Sequence, residues 1–147
     1  MFRFRFETLM RVRKLKEQMA LQAYAESQRK YVSLVNRRQK YLDEVHYLAV
    51  RLEDGLNKGI SGRDLKTISV YNAWLDRRLK DLDRDIAVAS KDVEEKRSVL
   101  IKARKDHKAI QRLKEIELER YSEEERRAEM RFIDEIAVIS DRRTVNG

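Results

Sequence analysis

Apolar side chains recur at steps of three and four residues along most of the chain, which is the spacing of one face of an α-helix. In the first half, positions at this spacing run from Tyr24 to Leu52, and all of them are apolar except Ser27 and Arg38. Upstream, the apolar positions follow a slightly different phase, so we expect the buried seam to drift there. The seam of the first predicted helix is Leu9, Val12, Leu15 and Met19, then Tyr24, Ser27, Tyr31, Leu34, Arg38, Tyr41, Val45, Leu48 and Leu52.

A second run of the same periodicity occupies the other half of the chain. Ser61 is a candidate N-cap for this helix, and Asp64 in its first turn would oppose the helix macrodipole. Only Asn72, Lys96 and His107 are polar among its seam positions. These positions are Ile68, Asn72, Leu75, Leu79, Leu82, Ile86, Ala89, Val93, Lys96, Leu100, Ala103, His107 and Ile110.

Between the two runs lies the segment DGLNKGISG, which holds three of the four glycines in the chain. The chain contains no proline, so this cluster is what interrupts the helical pattern. We expect Gly55 to end or fray the first helix, and Gly59 and Gly62 to adopt the positive φ angles that a tight reversal needs. Gly55, Gly59 and Gly62 are therefore the predicted hinge.

Folding the chain at this hinge brings the two seams face to face. Residues whose numbers add up to about 120 then meet, as Leu52 does with Ile68. A large residue meets a small one where Tyr31 faces Ala89, which suits coiled-coil packing. The predicted fold is all-α: a long antiparallel two-helix coiled-coil hairpin in a single domain, with the second helix longer and overhanging.

The two predicted helices differ in length, so the second one cannot be paired along its whole course. We expect the first helix over about residues 6–56, the hinge over about 57–63 and the second helix over about 64–140. Residues beyond about 115 would then overhang. The overhang carries an apolar stripe, which is a candidate docking surface because a single helix with unpaired apolar residues is marginal in water. Alternatively, residues 2–9 extend alongside it. The stripe is Met130, Phe132, Ile133, Ile136, Ala137 and Ile139.

The charge pattern fits the solvated faces of a coiled coil, because both signs are mixed along most of the chain. Charged residues make up 41% of the sequence, which is too polar for a thick globular core. The net charge of +8 also admits binding to nucleic acid, since the excess is concentrated near the N-terminus. The basic residues there are Arg3, Arg5, Arg11, Arg13, Lys14 and Lys16.

The sequence offers little for catalysis. His46 and His107 should lie far apart in the hairpin, so they cannot share a metal ion. The glycine segment lacks the Gly-Lys-Ser/Thr ending of a phosphate-binding loop. We therefore expect a non-enzymatic protein without cofactor or metal. The absence of cysteine and of long apolar runs favours a soluble protein in a reducing cytoplasm.

Three segments together resemble one known family. The opening FRFRFETLMRVRKLKEQ, the central GISGRDLKTISVYNAWL and the closing EERRAEMRFIDEIAVISDRR are similar to the start, hinge and end of the FliJ family, the stalk proteins of the bacterial flagellar type III export apparatus. The resemblance implies an antiparallel coiled coil like the central stalk of rotary ATPases. Its implied partners are the hexameric export ATPase, the membrane export gate protein and export chaperones, and its implied location is cytoplasmic, at the membrane-embedded export apparatus.

The resemblance also assigns residues to two contacts. The ATPase-docking residues would be Arg11, Arg13, Lys14, Arg126, Arg127, Met130, Ile133 and Ile136. The gate-docking residues near the hinge would be Tyr41, Tyr47, Leu48, Tyr71, Trp74 and Leu75. Tyr41 and Leu75 also belong to the predicted seam, and Arg78 stands where the family pattern has an apolar residue.

The leading hypothesis is a stalk and chaperone-escort protein that couples the export ATPase to the gate. The alternative is a basic coiled coil that binds nucleic acid, which predicts binding that collapses as salt is added. An adaptor for exported subunits or their chaperones is compatible with the first hypothesis.

Overall fold

Two long helices account for nearly all of the computed structural model, which describes residues 1–146. Helix α1 spans Glu7–Lys58 and has 52 residues, and helix α2 spans Gly62–Asn146 and has 85 residues. Residues 1–146 contain no strand. The helices pack against each other, which confirms the predicted all-α hairpin with a longer second helix.

The helices contribute to two compact units. The turn unit is Gln18–Ile101, which contains the reversal of the chain. The terminal unit consists of Met1–Glu17 together with the described residues from Lys102 onward.

The reversal between the helices takes three residues, Gly59, Ile60 and Ser61. Gly59 has a φ angle of 92°, in the left-handed region that favours glycine. The hydroxyl oxygen of Ser61 accepts a hydrogen bond from the backbone amide of Asp64 at 3.1 Å. The carbonyl oxygen of Ser61 accepts one from the amide of Leu65 at 3.0 Å. Ser61 is therefore the N-cap of α2.

Two of the three glycines assigned to the hinge lie inside helices. Gly55 is part of α1, which continues to Lys58 and ends at Gly59, where φ is positive. A Cβ atom at Gly55 would lie 3.2 Å from Cδ1 of Ile60, so this glycine allows the turn to pack closely. Gly62 is the first residue of α2. Helix α2 also continues past residue 140, since its last turns contain no breaking residue.

Replacing Gly59 with alanine is expected to lower the free energy of unfolding by about 1–2 kcal/mol, because an L side chain is strained at positive φ. Gly62→Ala is the matched control. A Cβ there meets nothing within 4 Å, and alanine at a helical position stabilises by about 0.4–1 kcal/mol. Urea unfolding followed by circular dichroism measures both. Equal effects of the two substitutions would contradict this account of the turn.

The core of the turn unit follows the periodicity of the sequence. Leu75 has no exposed surface, and the hydroxyl of the buried Ser27 donates to the carbonyl oxygen of Tyr24 at 2.7 Å. Asn72 is exposed although it occupies a predicted seam position. Arg38 donates from Nε to Oδ1 of Asp83 at 2.6 Å, which forms a solvent-exposed ion pair between the two helices. The buried side chains of this unit are Ala20, Ser27, Leu75, Leu82, Ala89 and Leu100.

In the terminal unit, the residues before α1 lie along α2. The rings of Phe2 and Tyr121 are 5.6 Å apart, and Arg5 lies 3.8 Å from Glu117. Phe4 is buried and makes an edge contact with Phe6 at 5.9 Å. The N-terminal segment thus covers α2 as far as Tyr121, so the unpaired extension begins later than the predicted position near residue 115. Every residue from Glu124 to Asn146 is exposed.

The seam does not drift at the start of α1 as predicted. The four apolar residues assigned to it are exposed, and two of the four inward positions are polar. A continuous helix keeps one face toward its partner, so the steps of three and four from Tyr24 simply continue backward. The inward residues are Met10, Arg13, Glu17 and Ala20, and the exposed ones are Leu9, Val12, Leu15 and Met19, with 40, 43, 56 and 61% of their surface accessible.

Candidate functional site

A group of aromatic side chains lies on the turn unit near the start of α2, and two of them, Tyr71 and Trp74, are exposed. The rings of Tyr71 and Trp74 stack at 5.6 Å and 14°, and Trp74 meets Tyr41 edge-on at 6.0 Å. The guanidinium group of Arg78 lies 5.8 Å from the centre of the Trp74 ring. We call Tyr41, Tyr71, Trp74 and Arg78 the aromatic surface. Its rings are held against one another, so little side-chain entropy is lost when a partner binds.

Tyr71 is fixed by a contact with the other helix. Its hydroxyl donates to Oε2 of Glu44 at 2.7 Å. That hydrogen bond, together with desolvation and the negative charge of Glu44, raises the pKa of Tyr71. Tyr71 and Glu44 also line an open groove beside the turn, together with Tyr47, Leu48 and Ile60. The ring is therefore presented in one orientation.

The terminal unit buries Phe4 and Ile110, and its seam also holds charged residues. Oε2 of Glu17 lies 2.5 Å from Nδ1 of His107, and Arg104 approaches the other oxygen of Glu17 at 3.8 Å. Arg13 donates from Nη1 to the carbonyl oxygen of Asp106 at 3.0 Å. These contacts give the polar side chains at the inward positions hydrogen-bond partners.

Beyond Tyr121, α2 carries an apolar face with no covering element among the described residues. Glu123 forms ion pairs with Arg126 at 2.7 Å and Arg127 at 3.4 Å at the base of this extension. The hydrogen bond and positive charge of Arg126 lower the pKa of Glu123, and the same pairing raises that of Arg126. We call the exposed apolar face the C-terminal stripe. It consists of Met130, Phe132, Ile133, Ile136 and Ile139, which are 50 to 64% exposed.

The model of the family described as "Flagellar FliJ protein" matches residues 2–145. The chain belongs to the FliJ family. The resemblance noted in the three sequence segments is thereby confirmed, and it places the chain among the components of flagellar type III export.

Two known proteins show how far the similarity to FliJ-like chains extends. The flagellar FliJ protein of Bacillus subtilis (strain 168) is 18% identical over 137 residues, which cover 93% of each chain. A solved structure of a putative YscO homolog, CT670 from Chlamydia trachomatis, matches with a TM-score of 0.59 and 19% identity. It covers 95% of this chain and 94% of its own. At this identity the structural match shows a common fold.

The FliJ family is a family of export components, and no catalytic family is indicated. Across residues 1–146 of this FliJ-family chain, His, Cys, Asp and Glu side chains do not group in a way that could hold a metal ion. Neither helix, as far as Asn146, has a stretch apolar enough to cross a membrane.

The residues assigned to gate docking fall into two groups in this FliJ-family chain. Tyr47, Tyr71 and Trp74 are exposed, at 61, 40 and 41%. Leu75 is fully buried in the seam, and Tyr41 and Leu48 are half-buried there. Leu75 therefore has no surface to offer a partner, because its seam position turns it toward α1.

The residues assigned to ATPase docking are also divided. Arg11 and Lys14 are exposed, as are the three apolar members of the set. Arg13 faces α2 and is held by Asp106. Arg126 and Arg127 are exposed but paired with Glu123. The exposed apolar members are Met130, Ile133 and Ile136.

Sequence reasoning missed two residues that shape the aromatic surface. Arg78 departs from the family pattern, yet its guanidinium group lies over the Trp74 ring. Its spacing of four residues from Trp74 could have shown this contact, since such residues are neighbours on a helix. Glu44 could be found only through the pairing of the two helices.

Proposed function

We propose that this FliJ-family chain is a non-enzymatic stalk of the flagellar type III export apparatus. It binds the hexameric export ATPase through the terminal unit and the membrane export gate protein through the aromatic surface. It is cytoplasmic and joins the membrane-embedded apparatus peripherally. It also escorts export chaperones. The single observation that carries the proposal is the C-terminal stripe, a large uncovered apolar face on a chain of an export family.

Three features of the terminal unit support docking to an ATPase ring. The stripe offers apolar area for a stable contact, since exposed apolar patches of this kind mark interaction sites. Arg11 and Lys14 lie exposed on α1 in the same unit, free to steer an acidic partner. The N-terminal segment contacts α2 at Tyr121, and no element among residues 1–146 covers the stripe.

The aromatic surface suits a contact with the gate because it is rigid and amphipathic. Tryptophan, tyrosine and arginine are the residue types that most often dominate binding energy at interfaces. All three occur here within one stacked cluster.

The purified chain should raise ATP hydrolysis by the export ATPase and promote its assembly into hexamers. Hydrolysis is measured at several protein concentrations, and ring formation by sedimentation or electron microscopy. The same chain should bind duplex DNA only weakly at physiological salt. Tight binding to unrelated duplexes with no effect on the ATPase would favour a nucleic-acid-binding coiled coil instead.

Truncating Trp74 to alanine is expected to weaken binding to the cytoplasmic part of the gate protein by about 30-fold, as for an interface anchor worth about 2 kcal/mol. Val88→Ala is the matched control, since Val88 is 70% exposed on the same helix of the turn unit and lies outside the aromatic surface. Titration calorimetry with both variants measures the change. Equal affinities for the two variants would exclude the aromatic surface as the gate contact.

A further inference from the structure

We propose that the C-terminal stripe pairs with the same stripe of a second copy of this chain, in an antiparallel two-helix coiled coil. The occupant follows from the stripe's own pattern of apolar and charged residues. Phe132, Ile136 and Ile139 are 64, 50 and 53% exposed and follow one another at steps of four and three residues. This is the spacing of a coiled-coil seam. The seam continues to Glu129 on one side and to Arg143 on the other.

Charge fixes the register of this pairing. When Ile136 of one copy lies opposite Ile139 of the other, Phe132 lies opposite Arg143, whose guanidinium can stack on the ring. In the same register Glu135 lies beside Arg142 of the other copy. The twofold symmetry of the pair repeats each contact, so two interhelical ion pairs flank the apolar layers.

The competing arrangements lack these contacts. Sliding one helix by seven residues places Glu135 beside Glu135 of the second copy and buries Glu129 against Ile139. A parallel pair places Glu135 beside Ser140, with no ion pair. The antiparallel register is therefore the one that the charges select.

The exposed end of α2 is also long enough for this pairing. The paired segments need only residues 129–146 of each copy. The N-terminal segment reaches Tyr121 through Phe2, and every residue from Glu124 onward to Asn146 is exposed. Within residues 1–146, the second copy thus meets no covering residue along the overlap.

Self-association would cover the face that we propose for ATPase docking, a consequence that rests on that proposed function. The paired chain would then be a storage form in which the stripe is shielded from water and from unspecific apolar contacts. The ATPase would compete with the second copy for the stripe, so docking would separate the pair.

Sedimentation velocity of the full chain at about 1–100 µM tests the pairing, since a short coiled-coil contact belongs to the weak class of interfaces. The mean mass of the unmodified chain should rise from monomer toward dimer. Glu135→Arg and Arg142→Glu should each weaken association by about tenfold or more, because like charges then face each other. The double variant Glu135→Arg/Arg142→Glu should restore it.

Asp134→Arg is the matched control, because Asp134 is adjacent to Glu135 but lies on the opposite side of the helix from the seam. This variant should associate like the unmodified chain. Circular dichroism checks that all variants remain helical. A monomer throughout the concentration range, or a double variant no better than the single ones, would overturn the proposal. ATPase stimulation by Glu135→Arg at low concentration tests the proposed function separately, since that variant retains every apolar residue of the stripe.

Discussion

Replacing Leu75 with alanine is expected to lower the free energy of unfolding by about 3 kcal/mol, as for other fully buried leucines. Leu75 has no exposed surface, and its seam position faces the half-buried side chains of α1. The core of a two-helix hairpin is only two side chains wide. When one of these side chains is truncated, no third element supplies atoms to fill the space. Urea unfolding followed by far-ultraviolet circular dichroism measures the change.

The matched control is the exposed neighbour of Leu75. Trp74→Ala removes a larger side chain, but Trp74 is 41% exposed, so we expect a loss of only about 1 kcal/mol. Affinity for the gate protein should show the opposite order. Among folded variants, Trp74→Ala should weaken this binding more than Leu75→Ala does. If Leu75→Ala unfolds at the same urea concentration as the unmodified chain, the seam is not the core of the turn unit.

The seam of the turn unit was predictable because most of its positions are apolar. From Tyr31 to Leu52 each predicted seam position is buried or half-buried in the structure. The position of the reversal was also evident, since proline is absent and glycines cluster in one place. Which glycine makes the turn was not evident, because a glycine is compatible with both helix and turn. Gly59 is the one with positive φ.

The predicted seam at the start of α1 is wrong because the apolar residues there face away from α2. Hydrophobic periodicity identifies a face of a helix, and a partner-binding face carries the same signal as a core face. The true inward residues Arg13 and Glu17 look like solvent positions in the sequence. They are tolerated because Asp106 and His107 satisfy them across the helices. That pairing is visible only once both helices are in place.

The aromatic surface was only partly predictable for a related reason. The spacing of Tyr71 and Trp74 indicates neighbours on one helix. The sequence alone cannot separate the exposed Trp74 from the buried Leu75, which is adjacent in the chain. The difference of one residue rotates a side chain by about 100° around the helix. Burial decides which of the two is available to a partner.

The largest effect on binding is expected from placing charges in the C-terminal stripe. The double variant Ile133→Asp/Ile136→Asp should weaken binding to the export ATPase by at least about 100-fold. Two apolar contacts are lost, and two carboxylates must be desolvated in an apolar interface. Stimulation of ATP hydrolysis should fall to the level of the ATPase alone. Both residues are at least 50% exposed in the free chain, so the fold should be retained.

Val138→Asp is the control that separates the stripe from a general effect of acidic charge. Val138 is 52% exposed, between the two seam residues Ile136 and Ile139 in sequence but on the other side of the helix. An aspartate there should leave ATPase binding within about threefold, the usual range for surface substitutions outside an interface. Equal losses from the stripe variant and from Val138→Asp would mean that the ATPase responds to charge near the end of α2. Unchanged ATPase binding by the stripe variant would show that the C-terminal stripe is not part of the ATPase contact. The observation that carries the proposed function would then no longer support it.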